Sequence, residues 1–234
     1  MKKILTLGLI LFINMSFAQT QLFFEKADAF FKTYVSNGKV DYASIHKSPE
    51  KLNEILEIAN KVSVSKDDAN TYQAFWINAY NISVIKGIID KYPTNSPLAN
   101  PGFFDKTKHN IGGKKIILND IENKLLRAQF DDARFHFVLV CGALGCPPLI
   151  DEAYLPNTLD AQLTRQTKLA LNNPNFIKVK KNKVEVSEIL KWYKGDFVKK
   201  GQSEIDFINK YRDQKIPAGH KLGYYSYNWT LNAK

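Results

Sequence analysis

Residues 136–149 read His-Phe-Val-Leu-Val-Cys-Gly-Ala-Leu-Gly-Cys-Pro-Pro-Leu. The apolar run from Phe135 to Val140 is rich in β-branched and aromatic residues, which predicts a buried central strand. Both cysteines of the chain, Cys141 and Cys146, follow in a loop that contains glycines and ends at Pro-Pro. Such a loop suits either a reactive thiol at a sheet edge or a local disulfide, and these residues leave both open.

Upstream of this stretch, a long helix is predicted from about Asp67 to Lys91, ending before Pro93. It is apolar on nearly all sides, which is typical of a helix that lies inside a fold. Asn78 and Asn81 lie three residues apart on it and therefore share one side. A buried amide without a partner costs ~1–3 kcal/mol. We expect both amides to bind a neighbouring backbone, with the lining of a pocket as the alternative.

The segment between that helix and the central strand predicts a hairpin and a short helix. Residues 110–118 form the hairpin, which turns on Gly-Gly. Asn119 and Glu122 then have the spacing of a capping box, in which two side chains satisfy the free N–H groups at a helix start. The helix that they begin also carries Arg127.

Downstream of the cysteines, the pattern predicts a helix over Asp151–Leu171 and a second hairpin over Phe176–Val186. Further helices start at Ser187 and Ser203, and an aromatic, strand-like segment, Leu222–Leu231, closes the chain. The fold class predicted from this order is α+β, with mainly helices packed around a small, largely antiparallel sheet built from hairpins.

Residues 1–18 are predicted to be a signal peptide. Lysines stand at the start, an apolar run from Ile4 to Ile13 follows, and Ser16-Phe17-Ala18 has small residues where a signal peptidase cuts. The apolar run is shorter than the ~20 residues that a membrane-spanning helix needs. We therefore expect residues 19–234 to form a single globular domain that is exported, periplasmic or secreted, with no transmembrane segment in the mature chain.

The chain of 234 residues carries a formal charge of +10. Its basic residues are spread out, and the densest segments, 178–183 and 191–200, lack the aromatic interleaving of a nucleic-acid reader. We therefore predict no nucleic-acid partner, and only weak association with an anionic envelope surface. No cofactor is predicted. A metal site is not predicted either, because no second spaced ligand pair accompanies the two cysteines.

Short motifs occur in a fixed order along the chain: Phe75-Trp76-Ile77-Asn78-Ala79-Tyr80-Asn81, Asp120-Ile121-Glu122, Leu126-Arg127, His136-Phe137, Cys141 with Cys146-Pro147-Pro148-Leu149, Trp192-Tyr193, and Tyr227-Asn228-Trp229-Thr230-Leu231-Asn232. With them the chain, from about Lys39 to Asn232, resembles the domain of unknown function 547 family. The resemblance implies no particular activity, because that family has none established. Relatives fused to glutaredoxin-like domains point to thiol chemistry only by association.

The chain departs from the family pattern at Asn123, where members usually carry His. The resemblance therefore implies no mechanism that uses an imidazole at that position.

Two hypotheses for function remain. The first is a non-catalytic binding or scaffold domain with a Cys141–Cys146 disulfide, which an even cysteine count in an oxidising compartment favours. The second is a cysteine-dependent hydrolase or acyl transferase with its site in residues 136–149, in which Cys141 is the nucleophile and His136 the nearest base. Strand alternation would place these two side chains on opposite faces, so His109 or His220 could serve instead through the fold. The pocket candidates are Asn78, Asn81, Glu122, Arg127 and Cys146.

We predict that the protein recovered from its native cell begins at Gln19, because cleavage follows the small residue Ala18. Intact-protein mass spectrometry measures this directly. Ala18→Phe, which removes the small residue, should leave the precursor uncut. A native chain that still begins at Met1 would contradict export and remove the argument for an oxidising compartment.

Overall fold

The computed structural model describes residues 2–234, with side chains from residue 18 onward except at position 200. The predicted signal peptide, residues 1–18, thus falls almost wholly outside the described side chains. No helix in the described part of the chain is long and apolar enough to cross a membrane. The α-helices of this part are α1 (Lys2–Tyr34), α2 (Tyr42–Lys47), α3 (Glu50–Lys61), α4 (Ala69–Ile89), α5 (Leu118–Asp120), α6 (Leu159–Asn172), α7 (Glu188–Trp192), α8 (Lys194–Phe197) and α9 (Glu204–Tyr211).

Short strands connect these helices: β1 (Val35–Ser36), β2 (Lys39–Val40), β3 (Lys108–Ile111), β4 (Lys114–Ile117), β5 (Ile177–Lys180), β6 (Lys183–Ser187) and β7 (Lys221–Tyr225). The pairs β1–β2, β3–β4 and β5–β6 are antiparallel hairpins, whereas β7 joins β6 in parallel. The α+β class is therefore confirmed. The strands divide among separate sheets of two or three strands in the described residues, instead of one sheet.

The predicted Gly-Gly hairpin is confirmed in β3–β4. Gly112 and Gly113 have positive φ angles of 61° and 71°. This is the left-handed backbone that a tight hairpin turn needs and that glycine adopts without steric cost.

Helix α4 is the centre of the larger hydrophobic core. Asp68 caps its start by accepting a hydrogen bond from the N–H of Thr71 at 3.1 Å. Phe75, Ile77 and Ala79 are fully buried, as expected for a helix with apolar side chains on all sides. The prediction of an internal helix is confirmed, with each end within two residues of the expected position.

The predicted central strand, Phe135–Val140, is wrong. Ala133–Phe137 form a 3-10 helix, and irregular backbone follows. The apolar residues are buried as predicted, but a side chain on α4 replaces the neighbouring strand. The amide of Asn81 donates to the carbonyl of Val138 and accepts from the N–H of Val140, both at 2.9 Å. These bonds satisfy the backbone without a ladder.

Helix α6 begins later than predicted, at Leu159 in place of Asp151. The preceding backbone is held by Asn78, which donates to the carbonyl of Tyr154 at 2.7 Å and accepts from its N–H at 3.0 Å. These bonds keep Tyr154 outside the helix. The closing strand is also shorter than predicted, since β7 ends at Tyr225.

A second hydrophobic core lies around β5, β6 and helices α7 to α9, with Phe137, Phe197 and Phe207 packed ring against ring. The side chain of Cys146 packs against both cores. The cysteine loop therefore lies where the two cores meet.

Trp76 on α4 tests the larger core. It is 3% exposed and its ring lies against those of Tyr72 and Phe75. We predict that Trp76→Ala lowers the free energy of unfolding by about 3–5 kcal/mol, because it leaves a large cavity. Urea denaturation measures the change.

The matched control is Trp192→Ala, because the side chain of Trp192 is 47% exposed. It should cost about 1 kcal/mol or less. Equal losses from the two substitutions would contradict the assignment of Trp76 to the core.

Candidate functional site

The structure brings the two cysteines together. The Sγ atoms of Cys141 and Cys146 are 2.26 Å apart and the Cα atoms 6.4 Å apart, which is disulfide distance. The hydroxyl of Tyr227 lies 2.9 Å from each sulfur. The backbone N–H of Cys141 also donates to Sγ of Cys146 at 2.9 Å. The polar partners of this sulfur pair are thus a tyrosine and a backbone amide.

The C-terminal segment holds the loop between the cysteines. Its backbone hydrogen bonds to the loop are Leu144 N–H to Thr230 O (2.7 Å), Gly145 N–H to Asn228 O (2.8 Å) and Asn232 N–H to Gly142 O (3.0 Å). A Cβ atom at Gly145 would lie 2.9 Å from the ring of Tyr227. Glycine at this position therefore allows the tyrosine to reach the sulfurs.

Tyr227 is itself held in place. Its N–H donates to the carboxylate of Glu188 at 2.9 Å. Its ring lies 5.0 Å from that of Trp192 and 4.7 Å from that of Trp229, centroid to centroid. Burial raises the pKa of the Tyr227 hydroxyl well above its usual value. The hydroxyl therefore remains protonated at neutral pH and can donate to sulfur.

A cavity of about 440 Å³ opens beside the sulfur pair. This volume is in the range of small-molecule sites. Aromatic side chains make up much of its lining, together with a few polar groups. The aromatic members are Tyr80, Phe104, Trp192, Tyr193, Tyr227 and Trp229, and the polar members besides the cysteines are Asn119, Glu122 and His136.

Glu122 contributes a carboxylate to this cavity and is only 7% exposed. The predicted capping box with Asn119 is wrong, because α5 begins at Leu118 without a side-chain cap. Glu122 instead belongs to a wider π-helical turn, Ile121–Arg127, a geometry that is frequent at functional sites. After burial, the charge and hydrogen bond of Glu122 are the main causes that raise the pKa of Tyr193.

His136 lines the same cavity and is oriented from behind. Its Nε2 lies 2.8 Å from Oδ2 of Asp196, and the same oxygen accepts a hydrogen bond from Nε of Arg127 at 2.7 Å. The His136 ring stacks on Tyr193 at 4.0 Å, and the Arg127 guanidinium lies 4.6 Å from the centre of that tyrosine ring. Hydrogen bonds from His136 and Arg127 hold the pKa of Asp196 well below its usual range.

The site residues predicted from the sequence thus fall into two groups. Cys141, Cys146, His136 and Glu122 line one cavity. Arg127 lies behind the cavity and acts on it through its contacts with other residues.

Asn78 and Asn81 are not among the lining residues. Their amides bind the backbone of Tyr154, Val138 and Val140. Both amides therefore bind a neighbouring backbone, as expected, and do not line the cavity.

The remaining histidines lie elsewhere. His109 faces a separate cavity between α3 and β3, and burial lowers its pKa to about 4. His220 contacts the carbonyl of Lys180 at 3.1 Å, and His46 lies against an aromatic ring. His136 is therefore the histidine that shares the cavity with the cysteines.

Local sequence patterns do not identify the aromatic walls of the cavity. The family-like motifs at Trp192-Tyr193 and Tyr227–Asn232 were the available signal for them. No sequence motif points to Asp196. It becomes a partner of His136 only because α8 packs against the 3-10 helix that carries the histidine.

The chemistry available to this arrangement follows from its groups. The cavity offers aromatic faces, one carboxylate, one imidazole and a sulfur pair. In the described residues, no histidine hydrogen-bonds to either sulfur. The same part of the chain contains no cluster of three or more His, Cys, Asp or Glu side chains that could hold a metal ion. Thiol chemistry in this cavity requires separation of the sulfur pair.

Comparison with known proteins agrees with the motifs. Residues 64–169 match the family described as "Protein of unknown function, DUF547", so the chain resembles that family over this span. The span contains α4, the π-helical turn and the cysteine loop, whereas the aromatic motifs at residues 192–193 and 227–232 lie outside it. No curated protein and no solved structure matches the chain.

The charge of Asp196 should make the fold sensitive to acid. Because its pKa is depressed in the folded protein, its ionised form stabilises the fold above the usual aspartate pKa of about 4. That contribution is lost as the pH falls below this value. Asp196→Asn should lower the free energy of unfolding by roughly 1–3 kcal/mol at neutral pH.

The deficit of Asp196→Asn relative to the native protein should then shrink as the pH falls from about 5 to about 2. Urea denaturation across this range measures it. Asp105→Asn, at an exposed turn, is the matched control and should leave the pH profile unchanged. A deficit that is the same at every pH would contradict the role of the Asp196 charge.

Proposed function

We propose that the protein is an exported, non-catalytic ligand-binding domain in which a Cys141–Cys146 disulfide braces the wall of the aromatic cavity. The observation that carries the proposal is the Tyr227 hydroxyl, 2.9 Å from both sulfurs, which themselves lie at disulfide distance. A sulfur pair engaged in this way has no thiolate available for attack. The sulfur pair then forms part of the cavity wall.

The cavity walls support a binding role. Trp192 is 47% exposed although it is a large apolar side chain, and it lies at the cavity with Trp229 at 6.1 Å, ring centre to ring centre. Exposed aromatic side chains beside a cavity mark surfaces that bind partners or ligands. A few polar groups among aromatic walls are the usual composition of a small-molecule site.

The disulfide has a local purpose in this proposal. The loop that it closes is short, so its effect on the unfolded chain is modest. In the folded chain it fixes residues 141–146, against which Tyr227 and the C-terminal segment pack. Export supports the oxidised form, because disulfides persist in oxidising compartments.

A second candidate is the cysteine-dependent hydrolase or acyl transferase. The observation that favours it is His136, which is oriented by Asp196 and lines the same cavity as Cys141. In a reduced protein, His136 would take the proton of Cys141, and the thiolate would attack an acyl carbon. The leaving group would depart with that proton, and water would then release the acyl group.

The oxidation state of the cysteines separates the two candidates. We predict that the native protein, unfolded without reductant, shows no free thiol in a dithionitrobenzoate assay. Cys141→Ser and Cys146→Ser should each lower the free energy of unfolding by about 2 kcal/mol, the loop-closure value for so short a loop. Tyr227→Phe, which keeps the ring and removes the hydroxyl, should leave the thiol count at zero.

The enzyme candidate predicts a different result. One thiol would be free and would react quickly with iodoacetamide near pH 6, because a catalytic thiolate needs a lowered pKa. Cys141→Ser alone would abolish that reaction while leaving stability nearly unchanged. Two free but unreactive thiols would contradict both candidates.

A further inference from the structure

Glu122 places a carboxylate inside the cavity without a basic side chain to balance it. No ion pair among the described residues includes Glu122. Arg127, on the same π-helical turn, pairs with Asp196 instead. The cavity lining, within the described residues, contains no Lys or Arg. A buried charge is costly unless it is paired. A positively charged ligand in the cavity would therefore be stabilised by this carboxylate.

The tyrosines around Glu122 do not supply that charge. The carboxylate contributes to the raised pKa of both Tyr80 and Tyr193, although burial is the larger cause in each case. Both hydroxyls are therefore protonated and neutral at neutral pH. Tyr193 hydrogen-bonds to Glu122, but neither hydroxyl supplies a positive charge to the carboxylate.

Aromatic rings border the same space. Trp192, Trp229 and Tyr227 pack against one another with ring centres 4.7 to 6.1 Å apart, and all three line the cavity with Glu122. The face of an aromatic ring, of tryptophan most of all, attracts a cation, and several rings together form the cages that bind quaternary ammonium groups.

The other charged groups nearby do not alter this balance. Among the described residues that line the cavity, His136 is the one histidine, and its Nε2 lies 2.8 Å from the carboxylate of Asp196. The Nε2 atom of His136 is therefore engaged behind the cavity, and no ion pair of the described residues joins His136 to Glu122. The charge of Glu122 stays uncompensated within the cavity.

The donor set also discriminates between kinds of cation. Calcium and magnesium bind through about six oxygen ligands. Among the described residues that line the cavity, Glu122 is the single acidic side chain. A carboxylate among aromatic faces matches an organic cation, whose apolar substituents bury against the rings while its charge meets the carboxylate.

We infer that the cavity binds an organic ammonium ion, held by the carboxylate of Glu122 and by the rings of Trp192 and Trp229. This inference rests on the proposed function and names the class of its ligand.

Isothermal titration calorimetry on the mature chain, with a matched pair of probes, tests whether the cavity binds an organic ammonium ion. The probes are choline and dimethylbutanol, the neutral isostere in which carbon replaces the nitrogen. The native protein should bind choline at least tenfold more tightly than dimethylbutanol. Glu122→Gln, which removes the charge and keeps the shape, should abolish that preference. Glu57→Gln, the same substitution at an exposed helical position, should preserve it.

Trp192→Leu provides a second variant at a position that is not buried, because Trp192 is 47% exposed. It should weaken choline binding several-fold and change dimethylbutanol binding less. Circular dichroism establishes that each variant is folded.

Equal affinity of the native protein for the two probes, or an equal loss of both in Glu122→Gln, would overturn the inference. Absence of choline binding would overturn it as well. The proposed function would stand in each case as long as the thiol assay shows an oxidised cysteine pair, and a free, acidic thiol would refute the proposed function whatever the probes do.

Discussion

The side-chain amide of Asn81 is the interaction on which the rest of the structure depends. It lies on the buried helix α4, 1% exposed, and bonds to the carbonyl of Val138 and the N–H of Val140. Buried backbone groups must find partners, and here one side chain supplies them in place of a neighbouring strand. The irregular backbone at Val138–Val140 is therefore stable in the core. It leads directly to Cys141, which lines the cavity.

The cavity is completed by residues far apart along the chain. Tyr227 contacts Cys141 across 86 positions of sequence, and the segment that carries it also pairs with the cysteine loop. The same C-terminal segment thus supports the loop and supplies two of the aromatic walls. Asp196 joins His136 to Arg127 in the same manner, from α8. The same long-range contacts therefore form the cavity and join the two cores.

Part of this fold could be predicted from local patterns. Helix α4 was predicted to within two residues at each end, and the hairpin turn at Gly112-Gly113 was predicted from its glycines. The strand predicted over Phe135–Val140 was wrong because burial and hydrogen bonding are separate requirements. The apolar run specified burial, whereas the partner of its backbone was an amide on another helix. The spacing of Glu122 from Asn119 predicts a capping box, which is wrong, whereas the prediction of Glu122 as a pocket candidate agrees with its place in the cavity lining.

The sequence by itself determined which segments are buried, where turns occur, the α+β class and the likeness to a family, because periodicity, turn residues and motifs are local properties. It also singled out Cys141, Cys146, His136 and Glu122 as chemically notable. Only the tertiary structure decided that these side chains border one cavity with Tyr227 and two tryptophans, and that the two sulfurs lie together. The reason is that such contacts depend on how remote segments pack, and no spacing along the chain specifies the distance between them.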